Sequence, residues 1–144
     1  MHLFLSPHLD DVALSCGGLI HQLATHGQTV TVRTIMAGDP VVVPDTPLIR
    51  DLHRRWAAGD NPMKIRREED ECAWRQFGVS VEHLPLPDCP YRMNAAGEAL
   101  YPVNESLFGA VHPDDPALKL EITFSAAGEN GALEAIYAPL GAGG

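Results

Sequence analysis

Hydrophobic period switches twice within the first 36 residues, and that limits the folds open to this chain. His2–Ser6 is a short apolar run stopped by Pro7, a buried strand. From Asp11 to His26 the apolar residues Val12, Cys16, Leu19, Ile20 and Leu23 fall at offsets 0, 4, 7, 8 and 11, one face of a helix. Gly27 lies where a helix C-terminus favours glycine. Thr29–Met36 is β-branched and alternating, a second strand. Inside the helix, Gly17 and Gly18 each cost about 1 kcal/mol against alanine, so a close neighbour is expected beside them.

The alternation continues down the chain. Pro40, Pro44, Pro47 and Pro62 break up the stretch from Ala37 to Met63, leaving room for one short helix around Leu48–Ala58. Lys64–Gly78 reads as a helix and Glu82–Leu86 as a third strand, while 89–113 looks irregular. Asp114 or Asp115 is expected to cap a weaker helix to about Ala127, in which Ile122 and Thr123 lower the propensity. Ala135–Ala138 completes the pattern as a fourth strand. Strands alternating with helices predict an α/β fold around a mostly parallel sheet, whose ligands bind at the carboxyl ends of the strands. Three such ends are polar here: Pro7–Asp11, Gly38–Asp39 and Pro87–Asp88.

At 144 residues there is room for one domain, and 45% hydrophobic with 20% charged residues suits a globular one. Ten basic against nineteen acidic residues leave a net charge of -9, which argues against nucleic acid and anionic membrane surfaces as partners. No apolar run approaches the roughly 18 residues of a membrane span, and Pro7, His8 and Asp10 interrupt the start too early for a signal peptide. Cys16, Cys72 and Cys89 form no CxxC pair, which suits free thiols in a reducing cytoplasm.

The densest chemistry lies in Ser6-Pro7-His8-Leu9-Asp10-Asp11, between strand and helix. His8 and Asp11 offer a nitrogen and an oxygen donor that suit zinc or another divalent first-row metal. Asp10 next to them could act as general base on a metal-activated water. A plainer reading also holds: Asp at a helix N-terminus is favoured for capping alone, with His8 a simple hydrogen-bond donor. A catalytic zinc site also needs three protein ligands, and this turn provides two.

The segment SPHLDDVALSCGG resembles the signature of the PIG-L / LmbE-like deacetylases, Pro-His-Pro-Asp-Asp-Glu followed by a helix with a Gly pair. Arg66, Glu69, Ala73, Phe77 and Gly78 match a helix pattern of the same family, and Asp88 stands where many members carry an acid. Tyr137-Ala138-Pro139-Leu140-Gly141 is similar to the strand end leading to the family's His-x-x-His. Leu9 and Val12 depart from the usual Pro and Glu without touching a ligand. The resemblance implies one domain over 1–144 with a Rossmann-like three-layer sandwich, and a zinc-dependent hydrolase removing acetyl from an N-acetylglucosaminyl-type small molecule. It makes His8 and Asp11 metal ligands, Asp10 the general base, and Arg66 and Asp88 substrate-binding groups. A plain surface role for Arg66, paired with Glu69 or Asp70 along the helix, is the alternative.

The family's His-x-x-His, source of its third zinc ligand and of an oxyanion helper, does not appear before Gly144. The expectation is a C-terminally incomplete domain with exposed apolar surface and a tendency to form homo-oligomers. The competing function is an inactive domain that folds and associates without turnover. A nucleotide-binding reading fails because no GxGxxG follows the first strand. Val111-His112-Pro113-Asp114-Asp115 spells the signature again, but no Gly pair follows. It reads as a loop entering a helix, with His112 held in reserve as a substitute ligand.

Overall fold

The computed structural model of the chain describes residues 1–57, 59 and 61–115, and the backbone of 120–127 and 132–139. Strands β1 (His2–Ser6), β2 (Val30–Thr34) and β3 (Ser80–His83) form a parallel sheet in the order β1-β2-β3. His2 pairs with Val30 and Ser6 with Thr34, and Thr34 in turn pairs with His83. The three carboxyl ends therefore lie level with one another. This edge carries the polar turns singled out above.

Helix α1 (Asp11–Thr25) connects β1 to β2, and α3 (Pro62–Arg75) leads into β3. Both meet the face of the sheet that carries Val30 and Val32: Val12 and Ile20 come from α1, Trp74 from α3, with Val79 at the margin. Each such side chain contributes roughly 1.5–3 kcal/mol when buried. A polar clamp adds direction to this packing. Asp70 on α3 accepts from Trp74 Nε1 at 3.1 Å, and its other oxygen lies 2.9 Å from His83 Nε2 on β3. Helix α1 ends as its sequence predicts: Gly27 N–H donates to Ala24 O and Gln28 N–H to Leu23 O, with Gly27 at φ 72°.

Helix α2 (Pro47–Trp56) starts one residue earlier than read from sequence, with Thr46 Oγ1 accepting from Ile49 N–H and Pro47 in the first turn. Leu48 packs with Leu100 and Tyr101, whereas Ile49 packs with Leu9, Ala37, Met63 and Tyr91. These contacts fix α2 beside the polar edge of the sheet. Gly38 also belongs to that edge, where its amide donates to Leu86 O at 3.0 Å. A Cβ on Gly38 would fall 2.1 Å from Pro85 O, so only glycine permits this approach.

Three expectations need correction. The third strand occupies Ser80–His83 and not Glu82–Leu86, because Pro85 has no N–H to continue a ladder whose last rung is Leu84 N–H to Thr34 O. No helix runs from Asp114 or Asp115 to Ala127; Leu120–Ala127 is strand β4. Leu120, Ile122 and Phe124 alternate with Glu121, Thr123 and Ser125, a period of two that suits a strand. Ala135–Ala138 lies in β5 (Ala132–Pro139), which pairs antiparallel with β4 and not with the parallel sheet. The irregular stretch 89–113 holds a short 3-10 turn at Cys89–Tyr91 and one helical turn, α4 (Asn104–Leu107). Leu140 and Gly141 of the family-like strand end lie outside the described residues.

Gly17 and Gly18 have no close neighbour among the described residues: a Cβ on either meets nothing within 4 Å. Gly17→Ala and Gly18→Ala are therefore expected to raise stability by about 0.5–1 kcal/mol each. Urea midpoints measure this. A fall in either would reveal a partner against α1. No helix among the described residues is long and apolar enough to cross a membrane.

Candidate active site

Ser6 organises the turn between β1 and α1. Its hydroxyl donates to His8 O at 2.6 Å and accepts from Val12 N–H at 3.2 Å. That second bond satisfies one of the orphan amides at the start of α1. Asp10 occupies the N-cap position but makes no side-chain cap hydrogen bond. Its backbone is left-handed, φ 82° and ψ -21°, a region uncommon for L-residues that aspartate enters more readily than most. Leu9, 2% exposed among Ala37, Ile49, Met63 and Tyr91, pulls the chain inward at this point. With Leu9 inward and the helix beginning at Asp11, the Asp10 carboxylate turns out into solvent. An acidic residue in this uncommon backbone conformation, unused for capping, is a candidate for a chemical role.

Carboxylates flank the His8 ring on both sides. Nδ1 lies 3.1 Å from Asp11 Oδ2, and Nε2 lies 3.2 Å from Asp88 Oδ1. Asp11 Oδ2 also accepts from His8 N–H at 3.0 Å, which holds the carboxylate over the turn. Asp88 follows the Pro85–Pro87 stretch and accepts from Cys89 N–H at 2.6 Å. The hydrogen bond to Asp88 first, then one to the Cys89 thiol, hold the imidazole in its charged form against the effect of burial, raising its pKa to about 10. Burial alone would raise the Asp88 pKa, but the His8 charge and the Cys89 amide bring it below the ordinary carboxylate range. The pocket around His8 thus favours a positive charge.

Arg66 reaches the same turn from α3. Nη2 donates to Leu9 O at 3.1 Å and lies 3.5 Å from Asp10 Oδ2, while the guanidinium sits 4.5 Å from the centre of the Trp56 ring. It is no surface helix pair with Glu69 or Asp70. His8, Asp10, Asp11, Arg66 and Asp88, the five residues singled out from sequence, all line one open cleft of about 360 Å³, and Trp56 forms part of its wall.

The second His-x-Asp-Asp run builds something else. Asp115 is 1% exposed and takes two hydrogen bonds from Arg92 Nη1, at 3.1 and 2.9 Å. Asp114 is exposed, and His112 Nδ1 accepts from its amide at 3.2 Å. Neither His112 nor Asp114 lines the cleft. Sequence reading missed Cys89 beside His8, for which the flanking prolines were the local signal. Trp56, whose aromatic face makes it a candidate from sequence for the wall of a sugar site or for a loop anchor, lines the cleft with its ring against Arg66.

His8 Nδ1 and Asp11 Oδ2 fit a metal as two of its ligands. Two donors about 2.0–2.1 Å from one tetrahedral ion lie about 3.3–3.4 Å apart, close to the 3.1 Å found. Among the described residues no group of three His, Cys, Asp or Glu side chains could hold the ion alone.

The family profile described as PIG-L, GlcNAc-PI de-N-acetylase, matches residues 3–114. The chain belongs to the PIG-L family. The match begins in β1 and takes in every residue of the cleft. Among curated relatives, this PIG-L chain is 34% identical over 128 residues to the 2'-N-acetylparomamine deacetylase of Niallia circulans, covering 78% of its own length and 45% of the relative's. Among solved structures, the zinc-inhibited form of teicoplanin deacetylase Orf2 is 32% identical with a TM-score of 0.67, over 82% of this chain and 45% of that one. The A40926 pseudoaglycone deacetylase Dbv21 is 36% identical with a TM-score of 0.58, over 66% and 40%. The PIG-L chain thus spans under half the length of these relatives. Its α/β architecture with a parallel sheet is theirs.

Proposed function

We propose that this PIG-L chain carries the water-activating part of a zinc-dependent N-deacetylase acting on an N-acetylglucosaminyl-type glycoside. The single observation behind this reading is the division of labour in the turn. His8 and Asp11 converge as a donor pair, and Asp10 is held beside them with its carboxylate turned away. The family is described as GlcNAc-PI de-N-acetylase and the relatives are named as deacetylases of 2'-N-acetylparomamine and of teicoplanin, which supports an acetamido sugar as the substrate class.

Bound zinc would lower the pKa of a water toward 7 and polarise the acetyl carbonyl. Asp10 takes the proton of the attacking water and returns it to the departing nitrogen as the amide C–N bond breaks, so that acetate and a free amine result. Arg66, braced by Leu9 O and the Trp56 ring, stays beside Asp10 and presents its remaining donors to the sugar. Asp88 lines the same cleft as an acceptor for sugar hydroxyls. A third protein ligand has to come from outside the described residues.

Metal content of the purified chain beside an Asp11→Ala control tests this. About one zinc per wild-type chain, lost in the control, is the expected result. Equal uptake by both would show that the turn is not the metal site. Uptake by neither would remove the metal-dependent activity from this chain and favour a domain that folds without turnover.

A further inference from the structure

Half-exposed imidazoles turn easily about their ring axis, and the His8 side chain is 38% exposed. Packing alone does not decide which nitrogen faces Asp11. The ring is oriented by its contacts beyond Asp11, first of all Asp88 Oδ1 at 3.2 Å from Nε2, with the Cys89 thiol as a second partner. A ligating histidine whose second nitrogen meets a carboxylate is held in one tautomer and one orientation. Asp88 is well placed to do this. Its side chain is 10% exposed, the Cys89 amide orients it from behind at 2.6 Å, and Pro87 and Pro90 stiffen the backbone on either side.

The segment bearing Asp88 is itself held from below. Arg92 Nε donates to Pro87 O at 3.1 Å, gripping the peptide that leads into Asp88. Its Nη1 is held in turn by both oxygens of Asp115, and Tyr101 Oη donates to Asp115 Oδ2 at 2.7 Å. Tyr101 also accepts from His112 N–H at 3.1 Å, which seats the whole 112–115 turn. Both charged partners are buried, Arg92 at 8% and Asp115 at 1% exposure, so the strut has little freedom.

We infer that Asp88 is a positioning residue that fixes the His8 ring so that Nδ1 faces Asp11, and that the buried Arg92–Asp115–Tyr101 cluster holds Asp88 in register. The second His-x-Asp-Asp run thereby serves the first: it is a latch under the site. The inference rests on the metal reading above, since the ring orientation matters most when Nδ1 ligates.

Zinc affinity, measured on the full chain by competition with a coloured chelator, tests it. Asp88→Ala is expected to weaken binding by about 10- to 100-fold. Asp88→Asn should weaken it less, because the amide oxygen still accepts from Nε2–H. Wild-type affinity in Asp88→Ala would overturn the inference, since a group that touches only sugar leaves zinc binding untouched. The strut is read in the double variant Arg92→Met/Asp115→Leu, which strands no buried charge, with circular dichroism and a urea midpoint verifying that it folds. Its affinity is expected to fall toward that of Asp88→Ala, and wild-type affinity would remove the strut from the inference. Should the wild-type chain take up no zinc, the metal reading fails on its own. The His8 ring in crystals of wild type and Asp88→Ala then decides: a turned ring upholds the positioning role and an unchanged ring overturns it.

Discussion

Asp10→Asn is expected to lower deacetylation of an N-acetylglucosaminyl glycoside by about 10²- to 10⁴-fold while leaving both zinc content and folding stability intact. The rate loss follows from removing the proton acceptor beside the His8–Asp11 donor pair. The preserved stability follows from the backbone. Asp10 sits at φ 82° and caps no amide, and asparagine tolerates that region at least as well. Its contact with Arg66 is 3.5 Å long, with the carboxylate 63% exposed, so its loss is nearly neutral. A capping aspartate would behave in the opposite way. Its replacement by alanine would cost about 1 kcal/mol of stability and leave turnover alone. Acetate-release assays on Asp10→Asn and Asp10→Ala therefore separate chemistry from capping, with urea denaturation of Asp10→Asn as the check on folding, because alanine at φ 82° loses stability through backbone strain alone. Unchanged turnover in both would end the general-base assignment.

The largest loss of stability is expected from Asp115→Ala, about 3–5 kcal/mol. Alanine there leaves the Arg92 guanidinium buried without its carboxylate, and removes the acceptor of the Tyr101 hydroxyl at 2.7 Å. Burial first, and then the bond to Asp115, push the Tyr101 pKa up. Losses of that size are a large fraction of the roughly 5–15 kcal/mol that holds a domain folded. Asp114→Ala next door should shift stability by no more than about 0.5 kcal/mol, since its side chain is 65% exposed. Thermal and urea unfolding of the two single variants make the comparison. Equal effects would show that the Arg92–Asp115 contact contributes nothing.

Asp114 and Asp115 show why part of this site cannot be read from a sequence. They are the same residue type at adjacent positions in one short motif, and local propensity treats them alike. Arg92, 23 residues earlier, and Tyr101, 14 residues earlier, distinguish them by bonding Asp115. Arg66 is a second case. Within α3 its natural partners are the acids three and four residues on, yet its bonds run to Leu9 and Asp10, more than 50 residues away. The segment after Pro113 failed for a related reason. A short apolar run can satisfy either period, and the pairing of Leu120–Ala127 with Ala132–Pro139 favours the strand through contacts that a helix reading does not weigh.

What the sequence determined by itself is local in origin. The period of the apolar residues set β1, α1 and β2, and the density of donors in His8–Asp11 marked the candidate site. Tertiary structure alone decided which nitrogen of His8 faces which carboxylate, and that the Asp10 carboxylate turns outward. It also decided that Asp115 is buried against Arg92 and Tyr101. Those outcomes depend on groups brought together from β1, α3 and the turns after β3, and their energies are set by burial and distance, which no local stretch of sequence carries.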